Sequence, residues 1–150
     1  MPDFDRITFE SWTIAFPADW SDQAQENGSL YFEAPDGSMG FYVALWNMGD
    51  EEQRGPAELI QTFQETELEN FLPKGEGWAL LQRQLEDSSA TATGLWEVFN
   101  EQTSYYVCGR QVAAGKLVLR ATFHDYASAS PEHSAEFFSP IISSLALRDA

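Results

Sequence analysis

The segment Gly40 to Met48 (GFYVALWNM) constrains the fold more than any other part of the chain. It is aromatic and β-branched and carries no charge. Such composition fits a pleated strand. Phe41, Val43 and Leu45 alternate onto one face, and Tyr42, Ala44 and Trp46 onto the other. Both faces are apolar, so the spacing predicts a central strand covered on each side. A layered domain with a sheet in the middle follows.

The remaining segments supply the layers. Arg6–Glu10, Trp12–Phe16 and Leu30–Ala34 read as strands, with Pro17-Ala18-Asp19-Trp20 and Pro35-Asp36-Gly37 as turns. Ser21–Gly28 reads as a polar loop. Pro56 suits the first position of a helix, where its missing N–H costs nothing. Leu59, Ile60, Phe63 and Phe71 then fall within about 120° on a helical wheel, with Leu68 at the flank. Pro73 and Gly75 stop this helix near Leu72. Trp78–Asp87 fits strand or helix by pattern and is assigned as strand because β segments follow it. Ser88–Thr93 is polar and reads as a turn region. Leu95–Asn100, Ser104–Val112 and Lys116–His124 complete a meander, with Ala113-Ala114-Gly115 as its last tight turn. Ser130-Pro131-Glu132 opens a second helix, with Ser130 as cap. Phe137, Phe138, Ile141, Ile142 and Leu145 give its apolar face. Pro140 predicts a kink, or a restart capped by Ser139.

The predicted order is four strands, helix, four strands, helix. This is an α+β fold: an antiparallel sheet of about six to eight strands packed by two main helices. The length of 150 residues suits one domain, and there is no linker, repeat or low-complexity tract.

Ile14-Ala15-Phe16-Pro17-Ala18-Asp19-Trp20 resembles the φ-x-φ-P-x-x-W opening of the PsbP-like superfamily, φ being apolar. An aromatic strand, a central helix, a meander and a terminal Ile141-Ile142-Ser143-Ser144-Leu145-Ala146-Leu147 helix end follow in the same order. The superfamily includes a photosystem II extrinsic protein, a Ran-binding nuclear import factor and bacterial chaperones of type VI secretion effectors. The resemblance implies a PsbP-like α/β/α sandwich and a non-enzymatic protein-binding role. No functional residue of the family maps onto this chain, and a shared fold does not choose the partner.

Charge narrows the partner. The chain holds 24 acids and 8 Lys plus Arg, a net of −16. Residues 1–76 hold 16 acids and 3 bases, and residues 77–150 hold 8 acids and 5 bases. Such a field disfavours nucleic acid and anionic membrane as partners. It favours a protein, and a basic one. Cys108 is the single cysteine, so no internal disulfide forms. The N-terminus has neither a basic region nor a long apolar run, and the expected location is the cytoplasm.

The densest acidity is the loop Asp50-Glu51-Glu52 with a helix ridge of Glu58, Glu65 and Glu69 opposite the apolar face. The ridge has no Lys or Arg on its own helix, and Glu65 and Glu69 repel as an i, i+4 pair. These six acids are the predicted partner-binding surface. Exposed members among Trp12, Trp20, Trp46, Trp78, Trp96, Tyr105 and Tyr106 would form a second recognition surface.

Catalytic and metal signatures are thin. His124 and His133 lack ligand spacing, and Asp50-Glu51-Glu52 lacks that of a calcium loop. No cofactor motif occurs. His124-Asp125 would need a bent strand to act together. Cys108, with Arg110 on the same strand face, reads as a small buried hydrophobe. Glu67 falls within the apolar face of the first helix. Either that helix bends or ends early, or Glu67 is buried and paired with Arg83, Arg110 or Arg120, or the register is off. The expected function is a non-catalytic protein-binding module: an adaptor, a chaperone or a toxin-immunity protein. The alternative is a small-ligand binder or enzyme using a sheet–helix pocket with His124 or Glu67.

Overall fold

The computed structural model describes residues 4–8, 11–24, 30–72, 77–88 and 90–148. Five strands come first: β1 (Phe4–Thr8), β2 (Trp12–Pro17), β3 (Ser21–Ala24), β4 (Leu30–Glu33) and β5 (Met39–Asn47). Helix α1 (Pro56–Glu69) follows. Next come β6 (Trp78–Asp87), β7 (Thr91–Asn100), β8 (Tyr105–Ala114) and β9 (Leu117–Asp125). Helix α2 (Pro131–Ser144) and the short β10 (Ala146–Leu147) close the order.

A seven-stranded sheet has the order β3-β4-β5-β9-β8-β7-β6, and a three-stranded sheet has the order β1-β2-β10. Every pairing is antiparallel. Helix α1 lies on one face of the large sheet, across β6, β7 and β8, and only reaches β9. On the other face lie α2 and the small sheet. The chain is an α+β sandwich in which one outer layer combines helix and sheet.

The main core fills the α2 side. Phe16 meets Phe32 at 4.8 Å between ring centres, Phe32 meets Phe41 at 5.0 Å, and Phe41 meets Phe123 at 5.6 Å. Phe138 and Ile141 of α2 are fully buried against them. Trp20, at the end of the Pro17 turn, stacks on Phe137 at 6.2 Å. Such rings contribute by area and by geometry. The α1 side is different. Its apolar contacts split into two small clusters, one around Leu59 and Ile60 and the other around Leu68 and Trp96.

Five expectations change. Ser21–Ala24, read as loop, pairs with β4 as an edge strand; its polar residues lie at the sheet margin, where no apolar face is needed. Thr91–Thr93, read as turn, belongs to β7, because the connection after β6 is shorter than its polar composition implied. Leu145–Leu147 does not continue α2. Ser144 Oγ accepts the N–H of Ala15 at 2.7 Å, Leu145 turns extended, and Ala146 pairs with Thr13 of β2. Pro140 neither ends α2 nor restarts it; it sits on the exposed side of one continuous helix. The central strand β5 is covered on one face only. Phe41 and Val43 are buried, whereas Trp46 on the other face is 51% exposed. Helix α1 meets that face at its margin, through Phe63 against Trp46.

Gly109 explains how a tryptophan fits under α1. It pairs with Trp96, and a Cβ there would lie 2.1 Å from Trp96 Cε2. The indole is fully buried and has nowhere to go. Gly109→Ala is therefore expected to lose about 3 kcal/mol or more of stability, measured by equilibrium urea unfolding. A loss under about 0.5 kcal/mol would show that Trp96 can move.

Candidate functional site

Strand register lays out the surface beneath and beside α1. One row across the sheet runs Leu85, Gly94, Gln111, Arg120, Ala44. The next runs Arg83, Trp96, Gly109, Thr122, Tyr42, Tyr31. Helix α1 sets Gln64 and Glu67, one turn apart, over these rows.

Glu67 is buried and fully engaged. Its Oε1 accepts from Trp96 Nε1 at 2.8 Å and from Gln111 Nε2 at 2.9 Å. Its Oε2 accepts from Arg120 Nε at 2.5 Å. Gln64 continues the chain: its Nε2 donates to Gln111 Oε1 at 3.0 Å and to the Gln84 carbonyl at 2.9 Å. Arg83 Nε donates to Gln64 Oε1 at 3.0 Å. A polar seam thus runs between helix and sheet from the β6 edge to β9. Gly94 leaves space for it, since a Cβ there would lie 2.6 Å from both Gln64 and Gln111. Of the three arginines weighed as partners of Glu67, Arg120 is the one that pairs.

Where the seam emerges at β9, α1 and β5 bound a cleft of about 390 Å³. Trp46, Phe63, Arg54, Glu67 and Arg120 line it. A smaller space of about 250 Å³ adjoins it at Glu67, Asn70 and Arg120, lined also by Tyr42 and His124. His124 donates or accepts at both nitrogens, with Tyr105 Oη at 2.7 Å and Thr122 Oγ1 at 3.0 Å. Burial, aided by the nearby Arg120 cation, pushes His124 down to about 4. Tyr31 and Tyr42 stack at 4.3 Å, and Tyr31 Oη meets Tyr126 Oη at 3.1 Å.

The predicted acidic surface is less uniform than its sequence. Asp50, Glu51, Glu58, Glu65 and Glu69 are exposed. Glu52 is tied inward: Arg54 binds it at 2.6 and 3.0 Å, and Lys116 Nζ reaches its carbonyl. These bonds to Arg54 hold the Glu52 carboxyl down at about 2. Arg83, from the neighbouring strand, stands beside Glu65 and Glu69, so the ridge has a cation that helix spacing alone does not reveal. Next to it, Leu80, Leu81 and Leu85 of the edge strand β6 are 43%, 45% and 39% exposed. Sequence reasoning missed these leucines, because edge position depends on the sheet order.

The His124-Asp125 pair does not converge. His124 and Asp125 point to opposite faces, and Asp125 accepts from Ser134 Oγ at 2.8 Å on the α2 side. Cys108 is buried, and burial pushes its thiol up. Among the described residues no group of three His, Cys, Asp or Glu is placed to hold a metal ion.

Two outcomes follow. Glu67→Ala leaves Arg120, Trp96 and Gln111 without their acceptor and is expected to cost about 3–5 kcal/mol in urea unfolding. Glu67→Leu with Arg120→Met is expected to cost clearly less, because no charge is stranded. His124 binds fewer protons in the folded than in the unfolded chain between about pH 4 and 6.5. Stability therefore falls as pH drops through that window, by up to about 1.4 kcal/mol per pH unit. In His124→Asn this contribution should vanish from the stability-versus-pH curve; an unchanged slope would place it on other groups.

No family model and no curated protein matches the chain. Solved structures do. Cyanobacterial PsbP (CyanoP) from Synechocystis sp. PCC 6803 has a TM-score of 0.71 at 10% identity, covering 99% of this chain and 94% of that one. The Ran-binding protein Mog1p of Saccharomyces cerevisiae has a TM-score of 0.63 at 10% identity, covering 99% and 97%. The protein PA94 of Pseudomonas aeruginosa has a TM-score of 0.55 at 15% identity, covering 98% and 99%. These TM-scores, with near-complete coverage in both directions, show that this chain has the PsbP-like fold.

Proposed function

We propose that the protein is a non-catalytic binding module for a protein partner, with its docking surface on the α1 ridge and the β6 edge. The observation that carries this reading is the placement of Leu80 and Leu85, exposed on an edge strand, Leu80 beside Glu65 and Glu69 and Leu85 beside Glu65. An open edge with apolar side chains is a template for an added strand or an apolar segment. The acidic residues would steer a basic partner and speed its association. The Ran-binding protein Mog1p shares the fold, which makes protein recognition a use this scaffold already serves.

An adaptor, a chaperone and a toxin-immunity protein all fit this surface, and each would act here as a soluble module in the cytoplasm. Among the described residues no helix is long and apolar enough to cross a membrane. A basic toxin or effector is the partner class that the charge favours.

The test compares wild type with two variants in pull-downs from the source cells, at low and high salt. One variant is Glu58→Gln/Glu65→Gln/Glu69→Gln, and the other is Leu80→Ser/Leu85→Ser. A partner held by wild type is expected to bind at least about ten-fold more weakly to the leucine variant, a loss of ~1.4 kcal/mol. The glutamine variant should slow association and lose most of the salt dependence. A partner equally retained by both variants would sink the assignment of this surface.

A further inference from the structure

The opposite flank of α1 carries a different chemistry. The cleft between α1 and β5 has an apolar wall of Trp46 and Phe63, whose rings meet edge to face at 6.0 Å. Its charged lining is Arg54, Arg120 and Glu67, two guanidinium groups against one carboxylate. Glu52 neutralises Arg54 and Glu67 neutralises Arg120, so in a chain of net charge −16 the cleft is a locally balanced patch.

The two arginines differ in what remains free. Arg54 is committed at all three nitrogens: Nε and Nη2 to Glu52 at 3.0 and 2.6 Å, and Nη1 to Thr62 Oγ1 at 3.3 Å. Arg120 is committed only at Nε, to Glu67 at 2.5 Å. Its two Nη groups have no hydrogen-bond acceptor among the described residues, and they are not sealed from solvent. Its side chain is 29% exposed and lines both the larger cleft and the adjoining space.

Glu67 is itself fixed by Trp96 and Gln111, so it holds the Arg120 guanidinium in one orientation. A planar fork held in this way matches a carboxylate, which can accept from two N–H groups at once. The volume of about 390 Å³ lies in the range of small-ligand sites, and the half-exposed Trp46 offers an apolar partner for the rest of the molecule. We infer that this cleft binds an apolar carboxylate, with the carboxylate on the free edge of Arg120 and the apolar body against Trp46 and Phe63. The site is separate from the proposed docking surface, which lies across the helix.

The probes are 4-phenylbutyrate and its neutral analogue 4-phenylbutyramide, titrated by calorimetry and by the indole N–H signals of the five tryptophans. The carboxylate is expected to bind at least about ten-fold more tightly than the amide, the difference expected of a charge-assisted pair. In Glu67→Gln/Arg120→Gln this preference should fall below about two-fold. Trp46→Ala, at an exposed position, should weaken both probes by about five-fold or more while keeping their ratio. A second arm compares an octapeptide ending in Phe with a free carboxylate against the same peptide ending in an amide. A preference in this arm alone assigns the site to a chain terminus, and a preference in the first arm alone assigns it to a free acid. No preference in either arm overturns the inference. So does a preference that survives the double variant. If the double variant fails to fold, the decision rests on Trp46→Ala, and binding unchanged in that variant also overturns it. Glu58→Gln/Glu65→Gln/Glu69→Gln should leave probe binding intact, so failure of the docking surface and failure of this site are read separately.

Discussion

A carboxylate set between a helix and a sheet is the interaction on which this structure turns. Glu67 takes three donors, from Trp96, Gln111 and Arg120, on three successive strands. Removing a charge from water costs several kcal/mol unless its partners replace the lost hydration. Here they do, and the cost becomes a positional constraint. Helix α1 can satisfy Glu67 in only one register against β7, β8 and β9. The apolar clusters on either side of the seam are small, so they alone would resist sliding weakly. The polar seam selects the alignment, and the leucine and isoleucine contacts add stability to it.

The same alignment decides which parts of the sheet stay open. With α1 held over β6 to β8, it meets β5 at the margin, through Phe63 against Trp46. Trp46 and the Tyr31–Tyr42 stack are left beside it, not under it. The aromatic surface is thus a by-product of where the carboxylate sits. The other face of β5 is different, since α2 and β2 bury Phe41 and Val43 completely. One strand therefore serves as core on one side and leaves Trp46 half exposed on the other.

Much of the fold was legible in the chain because periodicity reports burial. Both helices begin where Pro56 and Pro131 place them, and the Ser130 cap accepts the His133 N–H at 3.1 Å. The β-meander follows its alternation. Glu67 was legible as an anomaly, an acid within an apolar face, and its list of partners included the correct one. Less legible were features set by distant segments. Gln64 and Gln111 look like ordinary polar residues until strand register stacks them. Leu80 and Leu85 look like core until β6 proves to be the edge of the sheet. The acidic ridge looks unopposed until Arg83 arrives from another strand. Each of these depends on strand order, which local pattern does not encode.

The fit of Trp96 over Gly109 has an evolutionary corollary. An indole on β7 and a missing side chain on β8 are two halves of one volume, so neither position can change alone without a large loss. Across chains that share this fold at about one identical residue in ten, such coupled positions should drift as a pair. Where the tryptophan shrinks, the facing glycine is released to carry a larger residue, and the polar seam must find another donor for its carboxylate. The pair would then mark lineages within the fold more faithfully than overall identity does.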